Sequence, residues 1–124
     1  MPFGGRCLCG RLRYLCDAQP LWRAHCHGES CRRATSSGFT SFYGVADGQW
    51  RWTGAPPATH ASSPGVWRGF CPACGAQMAY RADRFPGECQ FYAATLDDPT
   101  IYRAENHVHA DEMQIGRASC RERV

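Results

Sequence analysis

Along the chain, apolar and polar residues alternate in short runs broken by Gly, Pro, Asp and Ser, and no long stretch follows a helical period. Arg11–Cys16 (RLRYLC) alternates as a half-buried strand does. Phe39–Ala46 and Gln49–Gly54 read as two strands divided by Asp47-Gly48, a hairpin turn signal. Further strands are expected in Gly65–Phe70, Gln77–Ala82 and Cys89–Leu96. Asp97–Thr100 reads as a turn and Asn106–Ala110 as a last short strand. Only Cys31–Gly38 (CRRATSSG) has room for a helical turn, which Gly38 is expected to end. The pattern predicts one mainly-β domain. In a core of that kind Trp22, Trp50, Trp52 and Trp67 are expected to be packing residues.

A chain of 124 residues has a thin core and gains from a cross-link. Nine cysteines exceed ordinary usage. No apolar run follows a basic start at the N-terminus, and no stretch is long enough to span a membrane, so neither a signal peptide nor membrane contact is expected. A cytoplasmic location follows. There a disulfide framework is disfavoured, and clustered cysteines read as metal ligands.

The charge of +3 is carried by arginine alone, since the chain has no lysine, and the arginines are scattered rather than clustered. Ile115–Val124 (IGRASCRERV) is, codon for codon, a translation of a common short-read sequencing adapter. These residues are therefore expected to be an artefact tail, 115–124, with the domain spanning 1–114. Without Arg117, Arg121, Arg123 and Glu122 the net charge falls from +3 to +1, and Cys120 leaves the ligand candidates. No nucleic-acid partner is expected from so neutral a domain.

Three cysteine groups stand out. In Cys71-Pro-Ala-Cys74-Gly75, two thiolates three positions apart can hold one tetrahedral metal from a tight turn, and the glycine lets the backbone fold back toward the sulfurs. Cys7-Leu-Cys9-Gly10 is the obvious partner pair. Cys7, Cys9, Cys71 and Cys74 are thus expected around one structural zinc, which would close a long loop and contribute on the order of 10 kcal/mol to folding. A redox dithiol is the rival reading of the second pair, but it needs a helix-opening Cys-x-x-Cys in a βαβ context. The rival for the first is a pair of small buried hydrophobes, which would face opposite ways along a strand. Cys16 and Cys89 read as core residues. The third group, Cys26 and Cys31 in AHCHGESCRR, looks like a metal site short of one ligand.

Together, GGRCLCGRLRY, CHGESCRRATSSGF, SSPGVWRGFCPACGAQMAYRADRFPGE and YAATLDDPT resemble the glutathione-dependent formaldehyde-activating enzyme family, which includes centromere protein V. The resemblance runs in order through residues 3–114. It implies a small zinc-binding β-tent domain with short strands and two zinc sites. One is the structural site on the Cys-x-Cys and Cys-x-x-Cys pairs. The other is a cleft site on a Cys-x-Cys-x-x-Cys motif, here Cys26 and Cys31. The implied reaction makes or breaks a carbon–sulfur bond on a small-molecule thiol such as glutathione, as in S-hydroxymethylglutathione formation. A three-thiolate zinc with one open position would deprotonate the incoming thiol.

The chain departs from that motif at Gly28, where the family has its middle cysteine. Three readings follow. A neighbour substitutes, with His27 nearest and His25 or Glu29 behind it. Or the second zinc is weakened or lost, leaving a non-catalytic zinc-stabilised binding module. Or Gly28 is a sequence error, one base from a cysteine codon. Arg32, next to the motif, is a candidate for holding a glutathione carboxylate, although with Arg33 it can also be a solvated pair. His107 and His109 share a strand face and can bind metal or be ordinary surface residues.

Overall fold

In the computed structural model, which describes residues 2–113, ten short strands form two sheets. The strands are β1 (Phe3–Arg6), β2 (Arg13–Cys16), β3 (Trp22–Cys26), β4 (Thr40–Ala46), β5 (Trp50–Trp52), β6 (Ala58–Ser63), β7 (Val66–Phe70), β8 (Gln77–Ala82), β9 (Glu88–Tyr92) and β10 (Asn106–Val108). A small sheet has the order β1-β2-β5, and a seven-stranded sheet has the order β10-β3-β4-β9-β8-β7-β6. All pairs are antiparallel except β10 with β3. The mainly-β architecture expected from the alternation is what the chain adopts. Residues 115–124 lie outside the described residues.

One expected pairing is different. Asp47-Gly48 does turn the chain, with Gly48 at φ +85° and the Gln49 N–H on the Ala46 carbonyl at 3.1 Å. The strands on either side nevertheless join different sheets. β3 and β9 already occupy both edges of β4, so β5 pairs with β2 instead, in the register Tyr14↔Trp52 and Cys16↔Trp50. There Trp50 and Trp52 set their rings edge-on to Phe91, with centroids 5.1 and 5.9 Å away.

Strand periodicity then divides the core in two. Tyr43, Val45, Cys89 and Phe91 face the small sheet, where they meet Leu12, Tyr14 and Cys16; Tyr14 stacks on Phe91 at 4.2 Å. Phe42, Tyr80, Ala82 and Tyr92 point to the opposite face and pack around Cys26 and Cys31. The Tyr14 hydroxyl is shared with Tyr43 and with Thr95 Oγ1, so the polar ends of the first core are satisfied. Cys16 and Cys89 are buried in that core, and burial pushes each thiol up to about 12. They are the packing residues the sequence suggests.

The one α-helix among the described residues, α1 (Glu29–Thr35), covers the expected helical stretch and opens two residues before Cys31. It ends at Ser36, which takes a left-handed conformation at φ 56°, two residues before Gly38. Ser37 donates its N–H to the Arg32 carbonyl at 3.2 Å, satisfying a carbonyl of the last turn.

Candidate metal centre

The two glycine-flanked cysteine pairs form matching turns. Cys7 Sγ accepts the Leu12 N–H at 3.3 Å, and the Gly10 N–H bonds the Cys7 carbonyl at 3.2 Å. Cys71 Sγ accepts the Cys74 N–H at 3.4 Å, and the Gly75 N–H bonds the Cys71 carbonyl at 2.7 Å. Gly10 and Gly75 sit at φ +83° and +79°, where a side chain would be strained, so the glycines are required by the turns. Each turn brings both of its thiols to one side, which a straight strand would not do.

The topology brings these turns together, and the four sulfurs of Cys7, Cys9, Cys71 and Cys74 lie within 4.8 Å of one another. Cys7 to Cys9 is 3.6 Å and Cys9 to Cys71 is 3.8 Å. An ideal tetrahedron of thiolates about 2.3 Å from a central ion has sulfur–sulfur edges of ~3.8 Å. The four residues therefore form a cage of metal-binding size. Burial pushes the Cys7 thiol up, but the Leu12 N–H and the three neighbouring thiols outweigh it and bring it down to about 6. For Cys9 the Arg11 N–H lowers the thiol, yet partial burial and the three other thiols push it up to about 11. Negative charge thus already collects at the cage, and a cation would draw the remaining protons off.

Cys26 and Cys31 sit on the other face of the large sheet. β3 presents Cys26 and the first turn of α1 presents Cys31; both are buried. They open on a cavity of about 500 Å³, also lined by Gly28, Tyr80, Arg84, His109 and Glu112. The bond with Cys31 raises the Cys26 thiol, and burial adds to it. The same bond lowers Cys31 to about 6, helped by the Arg68 guanidinium against the effect of burial. One proton is in effect shared by the pair, with Cys31 the better thiolate. A side chain at Gly28 has room: a Cβ there would lie 3.5 Å from Cys26 Sγ.

The other candidates are placed as follows. His27 is buried with its ring turned away from this cavity; it stacks on Phe39 and His107, and its Nε2 bonds His107 Nδ1 at 2.8 Å. It is not among the residues that line the Cys26–Cys31 cavity. His25 bonds Ser41 Oγ at 2.8 Å through Nδ1. Arg32 donates Nε to the His27 carbonyl at 3.2 Å, and Arg33 pairs with Glu29 at 2.9 Å.

Two further cations stand near the cleft, both within the SSPGVWRGFCPACGAQMAYRADRFPGE stretch but set apart there by no ligand-like spacing. Arg68 is buried, donates to Tyr92 Oη and Ser62 Oγ at 3.3 and 3.2 Å, and lies over the Tyr80 ring at 5.0 Å. Arg84 lines both the cysteine cavity and an adjoining one of about 740 Å³, which shares Ser30 and Tyr80 and is also lined by Arg33, His60 and Arg68. Among the described residues, no carboxylate lines that second cavity. A larger cavity of about 1180 Å³ lies elsewhere and includes neither Cys26 nor Cys31.

Comparison with known proteins bears on these sites. A family model described as glutathione-dependent formaldehyde-activating enzyme matches residues 2–112. No curated protein matches the chain. Among solved structures, the crystal structure of a Rhodobacter sphaeroides protein superposes with a TM-score of 0.67 over 85% of this chain and 99% of that one. Its identity is 16%, so the likeness is one of fold.

Proposed function

The chain belongs to the glutathione-dependent formaldehyde-activating enzyme family, and from that membership we propose a zinc-dependent carbon–sulfur lyase acting on a glutathione–aldehyde adduct. The observation that carries the reading is the pair of buried thiols, Cys26 and Cys31, opening on one cavity beside a carboxylate-free, arginine-lined groove. Zinc is the ion that suits both sites. Four thiolates at tetrahedral spacing favour it at the Cys7, Cys9, Cys71 and Cys74 cage, with a structural role. In the cleft, a bound zinc would supply an open position and a lowered thiol pKa.

The chain's own residues supply the rest. Cys26 and Cys31 would hold the cation. Arg84 and Arg68 offer guanidinium groups toward the glutathione carboxylates, with Arg32 a further candidate beside the motif. Phe42, Tyr80 and Tyr92, with rings tilted against one another, give the cleft an apolar wall on one side. In the forward direction the substrate thiol loses its proton, its sulfur bonds the aldehyde carbon, and the carbonyl oxygen takes up a proton, giving a hydroxymethyl thioether. The lyase direction reverses each change. No helix among the described residues is long and apolar enough to cross a membrane. A reducing compartment such as the cytoplasm suits a protein built on free thiols.

The second reading rests on Gly28: a binding module that keeps the four-thiolate cage and has lost catalysis. Exchange NMR on labelled formaldehyde with glutathione separates the two. The lyase reading expects the zinc-loaded protein to speed adduct interconversion, with Cys31→Ser abolishing the effect. If neither the chain as it stands nor Gly28→Cys speeds exchange, the binding-module reading holds.

A further inference from the structure

We propose that His109 completes a metal site with Cys26 and Cys31, taking the place in the cleft that the side chain of residue 28 would otherwise fill. The inference rests on the reading that the cleft holds a metal, and it names the ligand that Gly28 does not provide. β10 runs parallel to β3 with Val108 opposite Cys26, and the His27 N–H bonds the Val108 carbonyl at 3.0 Å. The next residue, His109, leaves the strand with φ 54° and ψ 39°. A non-glycine residue in the left-handed region is uncommon, although histidine enters it more readily than most, and its neighbours help to hold it there.

Those surroundings are the cysteine loop. Glu112 Oε1 accepts the Glu29 N–H at 2.8 Å, and the Glu112 N–H bonds the His109 carbonyl at 3.0 Å. The 109–112 turn is thereby pinned across the start of α1. The result is an imidazole placed over Gly28. A Cβ built on Gly28 would lie 3.5 Å from Cys26 Sγ, and 3.7 and 3.8 Å from His109 Cδ2 and Cγ. The space beside Cys26 that a third thiol would enter is bordered by the His109 ring.

Ring chemistry fits as well. His109 Nδ1 faces Glu112 Oε2 at 3.8 Å. A carboxylate on one ring nitrogen is the usual way a protein orients a metal-binding histidine and leaves Nε2 as the donor. At 3.8 Å that hydrogen bond is not made in this conformation, so Glu112 would take the role only once the ring has turned toward the thiols. Cys26, Cys31 and His109 then make a Cys2His set, a known donor set of catalytic zinc that keeps a fourth position open. The sulfurs and the imidazole nitrogen do not all lie within 4.8 Å of one another in the present conformation. Closure needs a rotation of the His109 side chain, which is half exposed and whose outer torsion has broad wells. By contrast His27, the substitute nearest in sequence, is buried against Phe39 and His107.

The test is Co2+ binding to the full chain, followed by thiolate-to-metal absorption and by metal counting. Two Co2+ per chain are expected, the weaker one with two-thiolate intensity. His109→Ala should weaken only that second ion, by ten-fold or more, and adding Gly28→Cys should restore it. Cd2+ substitution with 15N-labelled histidine gives a second readout that needs no variant, since a 113Cd–15N coupling to His109 is expected. Unchanged affinity in His109→Ala, only one ion per chain, or a coupling to another histidine would each overturn the proposal. Activity is not read here. A second ion held through His109 without adduct turnover would sink the lyase reading alone, and a second ion indifferent to His109 would sink this inference alone.

Discussion

Two cysteine sites stand on opposite faces of the seven-stranded sheet, and they differ in what makes them. The cage of Cys7, Cys9, Cys71 and Cys74 is built from two turns, each held by its own backbone hydrogen bonds, and its inner members Cys7 and Cys71 belong to the core between the sheets. The Cys26–Cys31 site has two thiols, a glycine where a third belongs, and a cavity in front. The cage is closed and fastens distant parts of the chain, whereas the cleft is open and incomplete. A closed, fully thiolate set suits a structural ion, and an open set suits chemistry.

Breaking the cage should have the largest effect. Cys71→Ser removes a fully buried ligand, and with it a binding energy on the order of 10 kcal/mol. That rivals the ~5–15 kcal/mol stability of a typical domain. Circular dichroism at 25 °C should show loss of the cooperative fold, while Cys31→Ser should leave a cooperative melt.

Next come the two cores. Phe91→Ala empties the centre of the inter-sheet core and should cost about 3–5 kcal/mol in denaturant unfolding. Tyr80→Ala, on the cleft face, should cost less, about 1–3 kcal/mol, because that ring borders a cavity that water can fill. Equal losses would erase the distinction between the faces. Gly28→Cys should change metal-free stability by no more than about 1 kcal/mol. Its φ of −58° is open to any residue, and the added Cβ meets Cys26 Sγ at an ordinary 3.5 Å. The same variant should raise affinity for the second ion, measurable by competition with a chromogenic chelator.

The smallest effect lies at a surface pair that belongs to neither site. Arg81 holds the Asp47 carboxyl below its ordinary value of 3.8 through a two-pronged hydrogen bond, 3.0 Å on each arm. Both side chains are more than two-fifths exposed, so the pair contributes about 0.2–1 kcal/mol. The folded value lies below the unfolded one. The stabilisation is therefore present above pH 3.8 and lost as pH falls through the folded value. The gap in melting temperature between the parent and Asp47→Asn should shrink over that range.

The cage was legible in the sequence because each half is local: a spacing and a following glycine specify a turn, and the two halves are incomplete without each other. Strands with clean alternation, such as Gln77–Ala82, were legible for the same reason. Ala58–Ser63 was not, since it is a largely exposed edge strand with few apolar side chains to show a period. The role of Arg68 is not written in local sequence, because its partners, Ser62, Tyr80 and Tyr92, come from three other strands. The Asp47-Gly48 turn was legible, but the partner of β5 was decided by which strand edges remained free. His109 reaches the cleft only through the β10–β3 pairing, across 81 positions of sequence from Gly28, a separation over which spacing carries no signal.

The central claim is that one metal holds the fold and a second serves the cleft. Native mass spectrometry during stepwise chelation of the zinc-loaded chain, with circular dichroism on the same samples, tests it directly. The account predicts that the first zinc leaves with the β signal intact and that the second leaves together with the fold. A chain stripped of all zinc that kept its cooperative melt would contradict it.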